Sequence, residues 1–186
     1  LIVLGLLMGT RTGRTILWPC LHDEPLAYLA PTRLSLETCF GVFFNSPEEA
    51  DLCTRRIRCA ISRYAVVGAG VALSFEGDSA AAGHRVTPPY LLYLGRLEEG
   101  KGIGDLYEYF ARYHRESGSC LRLAVAGSGP MKPPRSEAFV WLGRVTDAEK
   151  ATLLRGALAV CSPSPNESFS LMVMDSWLAS RPVLVN

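Results

Sequence analysis

Tyr90–Ile103 reads YLLYLGRLEEGKGI. The run Tyr90–Leu94 carries no charge, the pattern of a strand buried on both faces. At Gly95 it gives way to a loop bearing Arg96, Glu98, Glu99 and Lys101 among further glycines. Asp105–Glu116 follows, with Leu106, Tyr109, Phe110 and Tyr113 at helical spacing on one face. Buried strand, short loop, amphipathic helix is the unit from which parallel α/β sheets are assembled.

The same alternation continues in both directions. Downstream, Leu121–Ala126, Val140–Leu142 and Ala157–Cys161 read as strands. Thr146 caps the helix DAEKATLLRGA, and a helix after Ser170 leads to a final strand in RPVLVN. Upstream, Thr15–Pro19, Gly41–Phe44 and Tyr64–Val67 read as strands and Leu29–Leu36 as a helix. A further helix starts in NSPEEADLCTRRI, with Ser46 as N-cap, Pro47 in the first turn, and Glu48 and Glu49 facing the positive helix end. Between the two series, residues 74–89 are rich in Ala, Gly, Ser and Pro, as a linker would be. The expected organisation is two parallel-sheet domains, residues 1–74 and 90–186, joined by residues 75–89. LIVLGLLM at the start is too short to span a bilayer, which takes about 20 apolar residues, and reads as a buried strand. The chain ends on a strand with nothing to cover it, so both domains are expected to be incomplete.

Composition narrows the function. Of 186 residues 48% are hydrophobic and 20% charged, as in an ordinary globular protein. With 19 basic against 18 acidic residues the net charge is +1, so no general field attracts nucleic acid. The six cysteines form no CxxC pair and the three histidines are not at zinc spacing, which gives no metal motif and points to free thiols in a reducing compartment.

Two glycine pairs, Gly68/Gly70 and Gly127/Gly129, follow strands, but a dinucleotide fingerprint needs a third small residue opening a helix. Leu73 occupies that place in the first, and Pro130, Pro133 and Pro134 oppose helix entry in the second. Arg96 and Lys101 sit in the loop at the carboxyl end of a strand, the edge where open α/β sheets bind ligands. A guanidinium fork and an ammonium suit a diphosphate. The alternative is a solvated loop in which both cations pair with Glu98 and Glu99. In CSPSPNESFSLMVMDSWLAS, Glu167 precedes a helix whose first-turn N–H groups, from Phe169, Ser170 and Leu171, favour a phosphate. Asp175 lies two turns on, roughly 80° around the helix, with an apolar LMVM run expected to pack on the sheet. The alternatives are a capping role for Glu167 and a solvated helix position for Asp175.

Taken in order, strand–GRLxxxKG, strand–AGSGP and strand–SPxxESFSLxxMDxxxxxxPV resemble the C-terminal domain of family-4 retaining glycosyltransferases of the GT-B fold. PCLHDEP, FFNSPEEADL and VVGAGV are similar to the end of that family's N-terminal domain and its crossing into the second. The resemblance implies a GT-B-like α/β fold of two Rossmann-like parallel-sheet domains. It implies transfer of a sugar from a nucleotide-diphosphate-sugar with retention, and the following roles. Arg96 and Lys101, with the amides of Phe169, Ser170 and Leu171, would hold the donor diphosphate, and Glu167 the hydroxyls of the sugar. Asp175 would hold the ribose, Gly143, Arg144 and Val145 would flank the nucleobase, and His22 would sit at the cleft near the transferred sugar. It implies no metal and no cofactor, with the nucleotide-sugar as substrate. It also implies a carbohydrate, lipid-linked or small-molecule acceptor, no nucleic acid, and a cytoplasmic location or peripheral association with the inner membrane face. Asp175 departs from the family's glutamate, and Ser180–Arg181 from its small residue and glycine before PV. A non-catalytic binding or scaffold relative, or a GT-B epimerase or phosphorylase-like enzyme, is the competing expectation.

Overall fold

In the computed structural model the described residues are 15–68, 70, 86–165, 167 and 170–186. The expected strand in residues 1–8, most of the linker and His84 lie outside them. Two compact units are present, one built among the described residues on 15–68, 70 and Glu167 and the other on residues 86–165 and 170–186.

The first unit carries a three-stranded parallel sheet in the order β1 (Ile16–Leu17), β2 (Gly41–Phe44), β3 (Tyr64–Val66). Helix α1 (Ala30–Thr38) joins β1 to β2, and helix α2 (Pro47–Asp51) follows β2, widening into a π-type turn over Leu52–Arg56. Val42 and Phe44 point from β2 into a core shared with Leu36, Leu52 and Cys53. Ser46 caps α2 as its sequence dictates, its hydroxyl accepting from the Glu49 amide at 3.2 Å.

The second unit is a five-stranded, all-parallel sheet formed by β4 (Tyr90–Leu94), β5 (Arg122–Ala126), β6 (Phe139–Gly143), β7 (Ala159–Ser162) and β8 (Val183–Val185). Their order is β6-β5-β4-β7-β8. Counted within the unit this is 3-2-1-4-5, a doubly wound sheet whose direction of growth reverses between β4 and β7. Helix α3 (Ile103–Ser117) connects β4 to β5, α4 (Asp147–Gly156) connects β6 to β7, and α5 (Leu171–Leu178) connects β7 to β8. β5 passes to β6 without a helix, as the prolines after Gly129 require. The two faces of the sheet pack separate cores, one around Leu92, Leu154 and Val160 and the other around Leu123, Val125 and Ile103.

Two helices bury different residues from those their patterns suggest. In α3 the buried positions are Ile103, Tyr107 and Phe110, while Tyr109 and Tyr113 stay exposed. Leu106, Tyr109, Phe110 and Tyr113 do share one face, lining a cleft of about 460 Å³ with Leu184 and Val185. In α5 the apolar run does not settle as expected. Met172 joins the edge of the core and Leu171 is exposed, and the buried positions are Asp175 and Ser176. The Ser176 hydroxyl is satisfied by donating to the Met172 carbonyl at 2.6 Å.

Helix α5 ends in a Schellman arrangement, the Ser180 amide donating to Trp177 O at 2.9 Å and the Arg181 amide to Ser176 O at 2.8 Å. That motif needs a left-handed residue after the helix, and Ser180 supplies it at φ +57°. The side chain there is strained in a position that suits glycine.

Candidate active site at the sheet's switch point

In a doubly wound sheet the loops leaving the two strands at the reversal splay apart and open a crevice at their carboxyl ends. Here those strands are β4 and β7. The loop after β4 carries Arg96 and Lys101, and the segment after β7 carries Ser164, Glu167 and Ser170 into α5. The structure therefore brings the loop bearing Arg96 and Lys101 and the start of α5 to one edge of one sheet, while Glu167 groups with the first unit.

Backbone packing fixes the β4 loop tightly. Leu97 is fully buried, donates its amide to Ser128 O and accepts from the Met131 amide, both at 3.0 Å. Gly127, leaving β5, passes so close that a Cβ there would collide with Gly95 O. The glycines that resembled a dinucleotide motif thus serve a loop-to-loop approach instead. Gly102 ends the short turn Glu99–Lys101 at φ +64°, and a Cβ on it would strike Pro163 O in the loop after β7. The two loops flanking the reversal are in contact through that glycine.

On this frame Arg96 is exposed and pairs with Glu98 at 3.0 Å. A pair so open to water is worth little and leaves the guanidinium able to exchange partners. Lys101 is half-buried, and its amide donates to Glu98 O at 3.0 Å. Glu167 is exposed, and Ser170 is half-buried as the N-cap of α5. Ser170 makes no capping bond, so the first-turn amides of Leu171, Met172 and Val173 get no donor satisfaction from it. Phe169 lies outside the described residues.

Gly143 at φ +68° closes β6, its carbonyl accepting from the Gly127 amide at 2.7 Å, and Arg144 is exposed with Val145 half-buried behind it. Asp175 is not the solvated helix position that its surroundings in sequence allow, since only 8% of it is exposed. Its Oδ2 forms an ion pair with Lys150 Nζ on the first turn of α4. Lys150 is absent from the sequence-derived candidates. Twenty-five positions and a strand separate it from Asp175, so no local pattern links the two.

His22 belongs to the first unit, in the loop after β1, and is half-buried. That loop is held from both sides. Glu49, 1% exposed, accepts from the Leu21 amide at 2.6 Å, the Asn45 amide at 2.8 Å and Asn45 Nδ2 at 3.2 Å. Asp23 pairs with Arg56 and accepts from the Tyr28 hydroxyl at 2.6 Å, a bond that raises the Tyr28 phenol above its usual pKa. The sequence presents Glu49 as a helix-start acid, and its larger role in locking the His22 loop emerges only from the fold. Among the described residues no cluster of His, Cys, Asp and Glu could hold a metal ion, and no helix is long and apolar enough to cross a membrane.

Comparison with known proteins agrees with this geometry. Residues 88–186 match the family described as glycosyl transferases group 1. A phosphatidyl-myo-inositol mannosyltransferase of Mycobacterium leprae is 31% identical over 104 residues, covering 52% of this chain and 28% of that protein. A glycogen synthase of Mycobacterium tuberculosis is 30% identical over 116 residues, covering 58% of this chain and 28% of that one. The chain thus spans under a third of the length of these curated relatives. Among solved structures, sucrose-phosphate synthase from Thermosynechococcus elongatus superposes with a TM-score of 0.67 at 23% identity, over 88% of this chain and 44% of that one. The pneumococcal O-GlcNAc transferase GtfA, in complex with UDP and GlcNAc, gives 0.67 at 14% identity, over 91% and 36%. These likenesses show that the two parallel-sheet units are part of a GT-B fold. With more than half of its residues matched by the family, the chain belongs to the glycosyl transferases group 1.

Proposed function

We propose that the chain is part of a family-4 retaining glycosyltransferase that moves a sugar from a nucleotide-diphosphate-sugar to a carbohydrate, lipid-linked or small-molecule acceptor. The observation that carries this reading is the pairing, at one topological reversal, of a cationic loop and a helix start whose N-cap makes no capping bond. Both features suit a diphosphate.

In this reading the bond between the anomeric carbon and the donor phosphate oxygen breaks, leaving negative charge on the diphosphate and positive character on the sugar. Arg96, Lys101 and the α5 amides from Ser170 and Leu171 onward stabilise the departing diphosphate, a task that fixed cations and backbone dipoles perform without a metal. Glu167 binds hydroxyls of the sugar. The acceptor hydroxyl attacks from the face the phosphate is leaving, and its proton passes to the departing phosphate oxygen. The configuration is retained without an enzyme nucleophile. Asp175 faces the ribose, Gly143, Arg144 and Val145 flank the base, and His22 lies beside the transferred sugar. We place the protein in the cytoplasm or at the inner membrane face, where nucleotide-sugars and lipid-linked acceptors meet.

The test is turnover of UDP-, GDP- and ADP-sugars by the full-length protein and by its Lys101→Ala and Glu167→Ala variants. Loss of one polarising donor is expected to lower kcat by about a hundredfold or more. Normal donor turnover in both variants would overturn the reading, and turnover of no donor by the unaltered protein would favour a non-catalytic binding module.

A further inference from the structure

Lys150 occupies a place where a cation is unfavourable by itself. It lies in the first turn of α4, at the positive end of the helix dipole, with its amide donating to Thr146 O at 2.8 Å. Its ammonium is offset by the Asp175 carboxylate of the neighbouring helix, and the side chains are 35% and 11% exposed. The pair is asymmetric. Asp175 Oδ2 meets Lys150, while Oδ1 accepts no hydrogen bond among the described residues. An ammonium has three donors, and one is directed to Asp175. The pair therefore bridges α4, which follows the loop after β6, and α5, with Lys150 as its more exposed member. A hydroxyl both donates and accepts, so a vicinal diol matches such a couple better than it matches a carboxylate alone.

We infer that Lys150 is a positioning and specificity residue for the ribose of the nucleotide donor. It fixes the short Asp175 side chain so that Oδ1 faces one ribose hydroxyl, and it offers its own N–H to the other. This rests on the assignment of Asp175 to the donor ribose, and it adds what the shorter acid needs in order to work. It also ties the loop that would flank the base to the helix that would receive the phosphate.

The probes are UDP, GDP and ADP, each with its 2′- and 3′-deoxy counterpart, and inorganic pyrophosphate, titrated calorimetrically into the full-length protein. The unaltered protein is expected to prefer its ribonucleotide over the deoxy forms by about tenfold, the value of one good hydrogen bond. Lys150→Met should collapse that preference to about twofold or less and leave pyrophosphate binding unchanged, while Lys150→Arg should restore most of it. In steady state Lys150→Met should raise the donor KM with little change in kcat, because uniform binding is what is removed. If Lys150→Met keeps the full ribose preference, the inference is wrong while the glycosyltransferase reading stands. If the unaltered protein binds none of the three nucleotides, both fail. Should Lys150→Met not fold by circular dichroism, Lys150→Gln decides: loss of the ribose preference with normal melting supports the inference, and its retention overturns it.

Discussion

Helices α4 and α5 both begin at the carboxyl edge of the same parallel sheet, yet their first turns are built differently. At α4, Thr146 and Glu149 form a reciprocal capping box, the Glu149 amide donating to Thr146 Oγ1 at 3.3 Å and the Thr146 amide to Glu149 Oε2 at 2.8 Å. At α5, Ser170 occupies the N-cap and makes no capping bond, and the third helical position is Val173 rather than an acid. Helix α2 in the first unit sides with α4, since Ser46 caps it and Glu49 binds neighbouring amides. Capping by a side chain is not universal, since α1 and α3 start at Leu29 and Gly102 without one. What sets α5 apart is that it starts beside the loop bearing Arg96 and Lys101, and in the proposed reading its missing oxygens come from the donor diphosphate.

Converting one start into the other breaks the comparison most severely. Val173→Glu turns Ser170-x-x-Val into a capping box and brings a negative charge to the proposed phosphate position. Donor KM should rise about a hundredfold, about 3 kcal/mol of lost binding, while the melting temperature holds or rises. An unchanged KM would mean that no anion visits this helix start. Next comes Glu49→Ala, which strands the buried Leu21 and Asn45 donors and should cost about 3 kcal/mol, read as a lower melting temperature together with loss of protection at the Leu21 amide in hydrogen exchange. Thr146→Ala should cost about 1 kcal/mol, whereas Ser170→Ala should cost a few tenths at most, roughly the scatter of surface substitutions. Equal costs would mean that the two starts are capped alike. The smallest gain is Ser180→Gly, which relieves the left-handed side chain at φ +57° and should stabilise by about 1 kcal/mol.

The alternation of strands and helices was legible because buried parallel strands announce themselves as uncharged runs, and Gly41–Phe44 and Tyr90–Leu94 fall where their sequence puts them. Ser46 and Thr146 were legible as caps because capping is a local hydrogen bond between residues three apart. Two things were not legible. The apolar Leu171–Met174 run suggests a buried face, but α5 has only eight residues and turns Asp175 and Ser176 inward instead. The Lys150–Asp175 pair joins two helices whose proximity follows from strand order, and strand order is not written in any spacing. The 3-2-1-4-5 order supplies the physical reason that the loop after β4, with Arg96 and Lys101, and the segment after β7 leave the sheet at the same edge.

The most direct measurement is the amide nitrogen–proton spectrum of the protein titrated with the nucleoside diphosphate that it binds. The resonances of Leu171, Met172 and Gly102 should shift strongly on saturation, while those of Asp147, Ala148 and Glu149, closed by their capping box, should stay in place. Equal shifts at both helix starts, or none at Leu171 and Met172, would contradict the assignment of the diphosphate to the open end of α5.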